Sequence, residues 1–228
     1  MSPGPRTVIA IDGPAASGKS STAQWVAEKL GFRHVDSGSL YRGLSAAMLR
    51  TGLEPAEWTP DRLIAEGRHV SLHPEATSFQ LQLDGTGSDE ELRGAPVTAN
   101  VSLVARMPEV RAWVNGKVRE AAAEHDVVVD GRDIGTAVFP DAPLKIFLIA
   151  DPWERARRRL VQRLGRRPND DEIAEETDQI VQRDAKDATQ TVQAADAILL
   201  DTTFLTQAEQ VERIVALAHA VTHRPHAT

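Results

Sequence analysis

The residues with the clearest chemical potential form the run Gly13-Pro14-Ala15-Ala16-Ser17-Gly18-Lys19-Ser20. It matches G-x-x-x-x-G-K-[ST], a turn whose backbone N–H groups surround the phosphates of a nucleotide. Lys19 is the residue type that bridges the outer phosphates, and the Ser20 hydroxyl is suited to ligate Mg²⁺. The chemistry predicted here is therefore the binding of a nucleoside triphosphate together with Mg²⁺.

The sequence on either side supplies the elements that such a loop requires. The apolar run at 7–11 predicts a buried strand, and the pattern at 19–30 predicts a helix. A helix that begins at the loop adds the positive end of its dipole to the loop amides. A chance Gly/Ser-rich turn is the alternative, and the strand and helix around the motif argue against it.

Elsewhere the chain alternates between predicted strands and helices. Continuous apolar runs, typical of parallel strands covered on both faces, lie at 127–130, 144–149 and 197–200, and a short strand-like segment lies at 32–35. Helices are predicted at 39–51, 108–124, 152–164, 171–189 and 206–221. This alternation predicts an α/β fold with a doubly wound parallel sheet of the P-loop NTPase type, which binds ligands beyond the carboxyl ends of its strands. Polar and apolar residues alternate within 68–94, which predicts an inserted antiparallel hairpin.

Two polar segments stand where predicted strands end. Ser37, after the strand at 32–35, is a candidate helix N-cap, and Arg42 follows about one turn later. After the strand at 127–130, Arg132 could fork onto a phosphate and Asp133 could accept a hydrogen bond from an amino group or hydroxyl. The alternatives are an ordinary capped helix and a β-turn with a local Arg–Asp pair.

Two predicted helices carry charged clusters. Arg155, Arg158 and Arg159 share one face of the helix at 152–164 and predict a lid that closes on a triphosphate, although a solvated basic face is the alternative. Arg183 and Asp187 are one turn apart on the next helix, a pattern that by itself indicates a surface salt bridge.

Composition excludes several classes of protein. The 228 residues include no cysteine, which excludes a disulfide scaffold, a thiol nucleophile and a cysteine zinc site, and which fits a cytoplasmic location. The net charge of −7 disfavours nucleic acid as a partner. We expect no signal peptide, no membrane partner and, in the absence of an evident oligomerisation surface, a monomer.

Taken together, these residues resemble the bacterial cytidylate kinase family over nearly the whole chain. The most specific match is D-G-R-D-x-G-T-x-V-F-P-D-A-P at 130–143. The other matching segments are the phosphate loop with its preceding Ile11 and Asp12, residues 36–42, Ser102, residues 108–111, residues 145–148, and Arg183 with Asp184. The inserted hairpin is also similar to the extra segment of that family.

The resemblance implies the transfer of the γ-phosphoryl group of ATP to CMP or dCMP, and it implies a role for each matching residue. The phosphates of ATP would be held by Gly13, Pro14, Ala15, Ala16, Ser17, Gly18, Lys19, Ser20 and Ser21, with Mg²⁺ at Ser20. Cytosine would be contacted by Ser37, Ser102, Arg111 and Asp133, the acceptor phosphate by Arg42 and Arg132, and the ribose by Arg183 and Asp187. The groups expected to act in catalysis are Lys19, Arg132, Arg155, Arg158 and Arg159.

The resemblance also divides the chain into regions. A core would comprise 1–35, 103–152 and 190–222, a region binding the nucleoside monophosphate 36–102, and a lid 153–189. One departure stands out: Gln190 occupies a position where the family usually has an arginine that helps hold the acceptor phosphate. The consequence would be a weaker grip on that phosphate, or compensation by Lys186 or a lid arginine.

Two other functions stay open at this point. One is a kinase for another nucleoside monophosphate or a small metabolite. The other, from a different class, is a switch that hydrolyses a nucleotide to act on a partner. No N-K-x-D guanine motif is present, and arginines supplied by the same chain suit transfer to a second bound phosphate better than slow hydrolysis.

Overall fold

The computed structural model describes residues 6–87 and 89–222. Its strands are β1 (Val8–Asp12), β2 (Arg33–Asp36), β3 (Val70–Pro74), β4 (Phe79–Leu83), β5 (Val127–Gly131), β6 (Leu144–Ile149) and β7 (Ile198–Asp201). Its helices are α1 (Lys19–Leu30), α2 (Ser37–Arg50), α3 (Pro60–Glu66), α4 (Asp89–Arg93), α5 (Ala95–Val104), α6 (Pro108–Ala123), α7 (Pro152–Leu164), α8 (Asp170–Asp187) and α9 (Gln207–Thr222). The predicted core segment 1–35 begins outside the described residues.

A five-stranded parallel sheet in the order β2-β5-β1-β6-β7 forms the centre of the molecule. β1 is the middle strand, and its Ile9 lies opposite Val128 of β5 on one side and Leu144 of β6 on the other. Every strand of this sheet runs in the same direction, so all their carboxyl ends meet at one edge. The predicted doubly wound α/β fold is thus confirmed.

The two faces of β1 are buried against different helices, as the period of two in a strand requires. Val8 and Ala10 belong to a core with residues of α2 and α6. Ile9 and Ile11 belong to a second core with residues of α1 and α9. All five residues of β1 are therefore buried, which explains why this strand is a continuous apolar run in the sequence.

Several predicted boundaries match the structure residue for residue, namely α1 at 19–30, β6 at 144–149 and α7 at 152–164. Sequence patterns missed α3, α4 and α5, which have only 7, 5 and 10 residues. A signal for α3 was nevertheless present, because Thr59 caps its N-terminus and Pro60 begins it. Short helices offer too few turns for a periodic pattern to emerge.

The predicted antiparallel hairpin is present as β3 and β4, with Leu72 opposite Leu81. It attaches to the sheet edge through the backbone of His34, whose N–H donates to the Thr77 carbonyl at 2.9 Å. The alternating pattern was expected to extend to residue 94, but Asp89–Arg93 is helical. The charged run in that segment suits a short exposed helix better than a paired strand.

The edge strand β7 departs from the expectation that every sheet strand is covered on both faces. It pairs only with β6, and Ile198 and Leu199 are 40% and 53% exposed. Leu200 packs toward the core beneath α9. The apolar run that predicts a buried strand is therefore only partly buried. Separately, none of the helices in the described residues is long and apolar enough to span a membrane.

Two leucines on neighbouring strands test this difference in burial. Leu148 in β6 is fully buried, whereas Leu199 in β7 is mostly exposed. We expect Leu148→Ala to lower the free energy of unfolding by about 2–5 kcal/mol and Leu199→Ala by about 0.5 kcal/mol or less, measured by urea denaturation. An equal loss in both variants would show that the face of β7 is covered in solution.

Candidate active site

A cleft of about 1460 Å³ opens at the carboxyl ends of the sheet strands. Residues 15–20 of the phosphate loop form one part of its wall. The start of α2, the turn after β5, and helices α7 and α8 also line it, together with residues of the hairpin and of helices α4, α5 and α6. The strands therefore deliver into one cavity the polar segments that lie far apart in the sequence.

The phosphate loop connects β1 to α1 as the motif predicts. A Cβ on Gly13 would lie 2.4 Å from the carbonyl oxygen of Leu148, so only glycine fits there. Gly18 has a φ of 85° and stands at the N-cap of α1. Ala16 also adopts a left-handed conformation, with a φ of 56°. That conformation is strained for alanine and would be free of strain for glycine.

Two polar groups of the loop are short of partners. The Ser17 hydroxyl is buried and makes no hydrogen bond with any of the described residues. Lys19 Nζ donates to the Pro14 carbonyl at 3.1 Å. Burial and the positive charge of Arg132 lower the pKa of Lys19 to about 7. Bound phosphate oxygens would restore the charged form of Lys19, so both groups fit a polyanion.

Ser20 points toward a buried carboxylate. Its hydroxyl donates to Asp130 Oδ2 at 2.6 Å, at the end of β5. Mg²⁺ prefers oxygen ligands and usually takes one or two from the protein, with waters and substrate phosphates completing its shell. The pair Ser20 and Asp130 therefore fits this ion.

Asp130 is held in its charged form by a histidine. His34 Nε2 lies 2.7 Å from Asp130 Oδ1, and both side chains are largely buried. Burial alone would raise the pKa of Asp130, but the hydrogen bond and charge of His34, together with Lys19, keep that pKa below its ordinary value. In turn, the bond to Asp130 outweighs burial and raises the pKa of His34.

A second buried carboxylate shapes the turn after β5. Asp12, the last residue of β1, accepts hydrogen bonds at 2.8 Å from the backbone N–H groups of Ile134 and Gly135. Burial raises the pKa of Asp12 to about 6. The turn that carries Arg132 and Asp133 is thus tied to the strand that leads into the phosphate loop.

Arg132 lies between the phosphate loop and α8. Its guanidinium donates to the Gly13 carbonyl at 2.9 Å and to Asp187 Oδ2 at 3.3 Å. Arg183 Nε is 3.7 Å from the same carboxylate oxygen and has no hydrogen-bond partner among the described residues. Two arginines thus share one carboxylate, and in the described part of the chain the Nε–H donor of Arg183 is left without a hydrogen bond, which a bound anion could accept.

Arg42 adds a third guanidinium to the same side of the cleft. It donates to the Leu92 carbonyl and to the Thr98 hydroxyl, each at 3.2 Å. Burial and the neighbouring charge of Arg183 lower the pKa of Arg42 to about 10, and Arg93 and Arg159 add to this repulsion. Positive charges held this close to one another define a site for an anion.

Four further predicted residues line the cleft: Ser37, Ser102, Arg111 and Asp133. Arg111 and Asp133 form a short ion pair. Ser37 donates to the Asp130 carbonyl at 2.7 Å. Ser37 is not the N-cap of α2, because β2 leads directly into the helix and Asp36 accepts the hydrogen bond from the Ser39 N–H instead.

The structure separates the three arginines predicted as one catalytic face. Arg158 and Arg159 line the cleft, where Arg158 donates to the carbonyls of Thr202 and Thr203. Arg155 does not line the cleft and is 4% exposed. The prediction that Arg155 is catalytic does not fit this position, because its guanidinium is occupied by backbone carbonyls and Asp184 behind the phosphate loop.

Sequence reasoning missed several residues of the site. Asp130 could have been found, because a carboxylate at the end of a parallel strand faces the ligand crevice. His34 gave no such signal, and it meets Asp130 only because β2 pairs with β5. Arg93 also lines the cleft. Lys186, in contrast, is exposed and lies outside the residues that line the cleft, so it does not offset Gln190.

Known proteins provide an independent comparison. The family model described as cytidylate kinase matches residues 9–220. A cytidylate kinase from Limosilactobacillus reuteri (strain DSM 20016) is 40% identical over 210 residues, covering 90% of this chain and 92% of the relative. One from Mycolicibacterium paratuberculosis is 41% identical, covering 91% and 92%. One from Chlorobaculum tepidum is 39% identical, covering 94% and 93%.

The lowered pKa of Lys19 predicts proton uptake when a triphosphate binds. With a pKa of about 7 in the free loop, Lys19 is mostly neutral at about pH 8.5 and must gain a proton to pair with phosphate. We expect ATP to bind more weakly as the pH rises from about 7 to 9, with up to one proton taken up, measured by calorimetry in buffers of different ionisation enthalpy.

The variant Lys19→Arg is the matched control, because arginine stays charged over this range. It should bind ATP without proton uptake. Binding to the unmodified protein that shows no proton uptake at about pH 8.5 would contradict the lowered pKa of Lys19.

Proposed function

The chain belongs to the cytidylate kinase family, and from this premise we propose how its cleft phosphorylates CMP with ATP. The enzyme transfers the γ-phosphoryl group of ATP to CMP, and also to dCMP, giving the nucleoside diphosphate and ADP. The observation that carries this proposal is the arginine group Arg42, Arg132 and Arg183, which lies in one cavity with the phosphate loop and with the Arg111–Asp133 pair. The phosphates of ATP, the γ-phosphoryl group in transfer and the cytosine of CMP would thus occupy adjoining sites in one cleft.

The donor binds at residues 13–21. The amides of the loop and the N-terminus of α1 surround the phosphates of ATP, and Lys19 contacts the outer ones. Ser20, with Asp130 beside it, holds Mg²⁺. When bound, this ion would offset the negative charge that develops on the phosphate oxygens.

The acceptor base binds elsewhere in the cleft. Cytosine presents an amino group that donates hydrogen bonds and a carbonyl and ring nitrogen that accept them. Asp133 accepts and Arg111 donates, so the pair matches both properties. Ser37 and Ser102 lie beside this pair in the cleft. We assign the ribose to Arg183 and Asp187, which adjoin the acceptor phosphate.

The transfer itself depends on placement and charge. Arg42 and Arg132 hold the acceptor phosphate near the donor, while Lys19, Arg158 and Arg159 neutralise charge on the group in transit. The acceptor phosphate is already an anion, so the reaction needs no strong general base. Closure of the lid at 153–189 excludes water, which would otherwise take the phosphoryl group.

The wider assignments follow from the same proposal. The regions are the core, the monophosphate-binding segment 36–102 and the lid, within one kinase domain. The absence of cysteine fits a cytoplasmic enzyme, and the substrate places the reaction in pyrimidine metabolism. We expect a monomer with small-molecule partners and no nucleic-acid or membrane partner.

The acceptor is tested by ADP release from Mg·ATP with CMP, dCMP, UMP, AMP and GMP offered separately. We expect strong stimulation by CMP and dCMP, because the amino group of cytosine can donate to Asp133 while its carbonyl and ring nitrogen accept from Arg111. Asp133→Asn should raise KM for CMP about tenfold or more while changing KM for ATP little. Slow hydrolysis that no acceptor stimulates would instead support the nucleotide switch.

Because Gln190 is neutral, we expect the site to bind the acceptor phosphate with only moderate affinity. It lines the cleft, and a neutral amide binds phosphate less strongly than a guanidinium. We expect Gln190→Arg to lower KM for CMP by about threefold to tenfold and Gln190→Glu to raise it, in steady-state kinetics with saturating ATP. An unchanged KM in Gln190→Arg would contradict this and would mean that the site is already compensated.

A further inference from the structure

Arg155 and Asp184 connect both lid helices to the phosphate loop. Arg155 of α7 donates to Asp184 Oδ2 of α8 at 2.6 Å and to the Ala15 carbonyl at 2.8 Å. Asp184 Oδ1 accepts the Ala15 N–H at 3.0 Å. Both backbone polar groups of Ala15 are therefore bonded to residues that lie 140 and 169 positions away in the sequence.

The surroundings show that these contacts are constrained. Arg155 is 4% exposed, and its Nε also donates to the Ala150 carbonyl at 3.0 Å. A charge buried this deeply is stable only when its hydrogen bonds are satisfied and its partner is in place. The pair therefore fixes where α7 and α8 lie relative to the loop.

An apolar contact next to this pair also holds the phosphate loop against α7 and α8. Ala16 packs against a small core in which α7 contributes Ala156 and Leu160 and α8 contributes Ile173 and Ile180. Ala16 holds a φ of 56° while making this contact. Two consecutive loop residues are thus held by the lid helices, one through hydrogen bonds and one through packing.

Neither charged side chain belongs to the substrate sites proposed above, since neither lines the cleft. We propose that Arg155 and Asp184 are positioning residues that hold the phosphate loop in its nucleotide-binding shape only while α7 and α8 are docked together. Docking of these helices and affinity for ATP are then linked, and each favours the other. The steady-state kinetic test of this inference rests on the proposed function, whereas the measurements of ATP binding and hydrogen exchange do not.

The test compares Asp184→Ala with Asp184→Asn. Alanine removes the acceptor of the Ala15 N–H and leaves Arg155 without its counter-charge, while asparagine keeps an acceptor and loses only the charge. We expect Asp184→Ala to weaken ATP binding about tenfold or more and to speed amide exchange in residues 13–18, with Asp184→Asn in between. Calorimetry and hydrogen exchange give both quantities without CMP.

A matched control lies at the far end of the same two helices. Glu172 of α8 pairs with Arg166, just beyond α7, and its hydrogen bonds among the described residues go to Arg166 and Asn169 rather than to the loop. Glu172→Ala should leave ATP affinity and exchange in 13–18 within about twofold of the unmodified protein. In steady-state assays, Asp184→Ala should raise KM for ATP more than it lowers kcat, a split that general destabilisation does not produce.

A lower melting temperature in Asp184→Ala, with ATP affinity and exchange in 13–18 unchanged, would overturn the proposal and leave the pair as a helix-packing contact. If Asp184→Ala does not fold, the variant Arg155→Lys tests the proposal instead. Lysine keeps the charge opposite Asp184 but cannot hold Ala15 and Ala150 together, so faster exchange in 13–18 supports the proposal and unchanged exchange overturns it. Failure to phosphorylate CMP would refute the proposed function alone.

Discussion

The close approach of Gly13 to the carbonyl oxygen of Leu148 is the contact on which the cleft depends. It lets the turn after β1 lie directly against β6, where any side chain would force the two backbones apart. The Gly13 carbonyl then accepts a hydrogen bond from Arg132 at 2.9 Å, so the turn after β5 is fixed to the same point. The backbone of Gly13 therefore fixes the position of both the phosphate loop and the Arg132 side chain of the predicted acceptor site.

Charge balance is the second constraint on the site. Arg42, Arg132 and Arg183 lie near one another, and their mutual repulsion disfavours the empty cleft. Asp187 offsets part of this charge by contacting both Arg132 and Arg183. The charge of Asp36 also acts on Arg42, but burial and the neighbouring arginines still lower the pKa of Arg42 to about 10. The cluster therefore keeps a positive field that favours phosphate. A fully neutralised cluster would be more stable and would bind anions less well.

The buried carboxylates Asp12 and Asp130 bind groups of the protein rather than balance the charge of the arginines. Asp12 and Asp130 stand at the ends of neighbouring strands and are largely used by groups of the protein itself, the first by backbone amides and the second by Ser20 and His34. They set the geometry of the turn and of the Ser20 hydroxyl. Hydrogen bonds to carboxylates of the sheet thus fix the turn after β5 and the Ser20 hydroxyl. On the lid side, contacts of α7 and α8 with the phosphate loop fix the position of the loop.

The sequence by itself determined the phosphate loop and the hairpin from residue types at short spacing, the α/β class from the alternation of strands and helices, and the family from motifs spread along the chain. It also located α1, β6 and α7, whose apolar or amphipathic patterns are long enough to be distinct. Only the tertiary structure decided that Arg155 faces away from the cleft, that Asp130 meets His34 and that β7 is exposed. Each of these depends on which segments are neighbours in space, and strand order and helix docking join residues more than a hundred positions apart, such as Ser20 with Asp130 and Ala15 with Asp184.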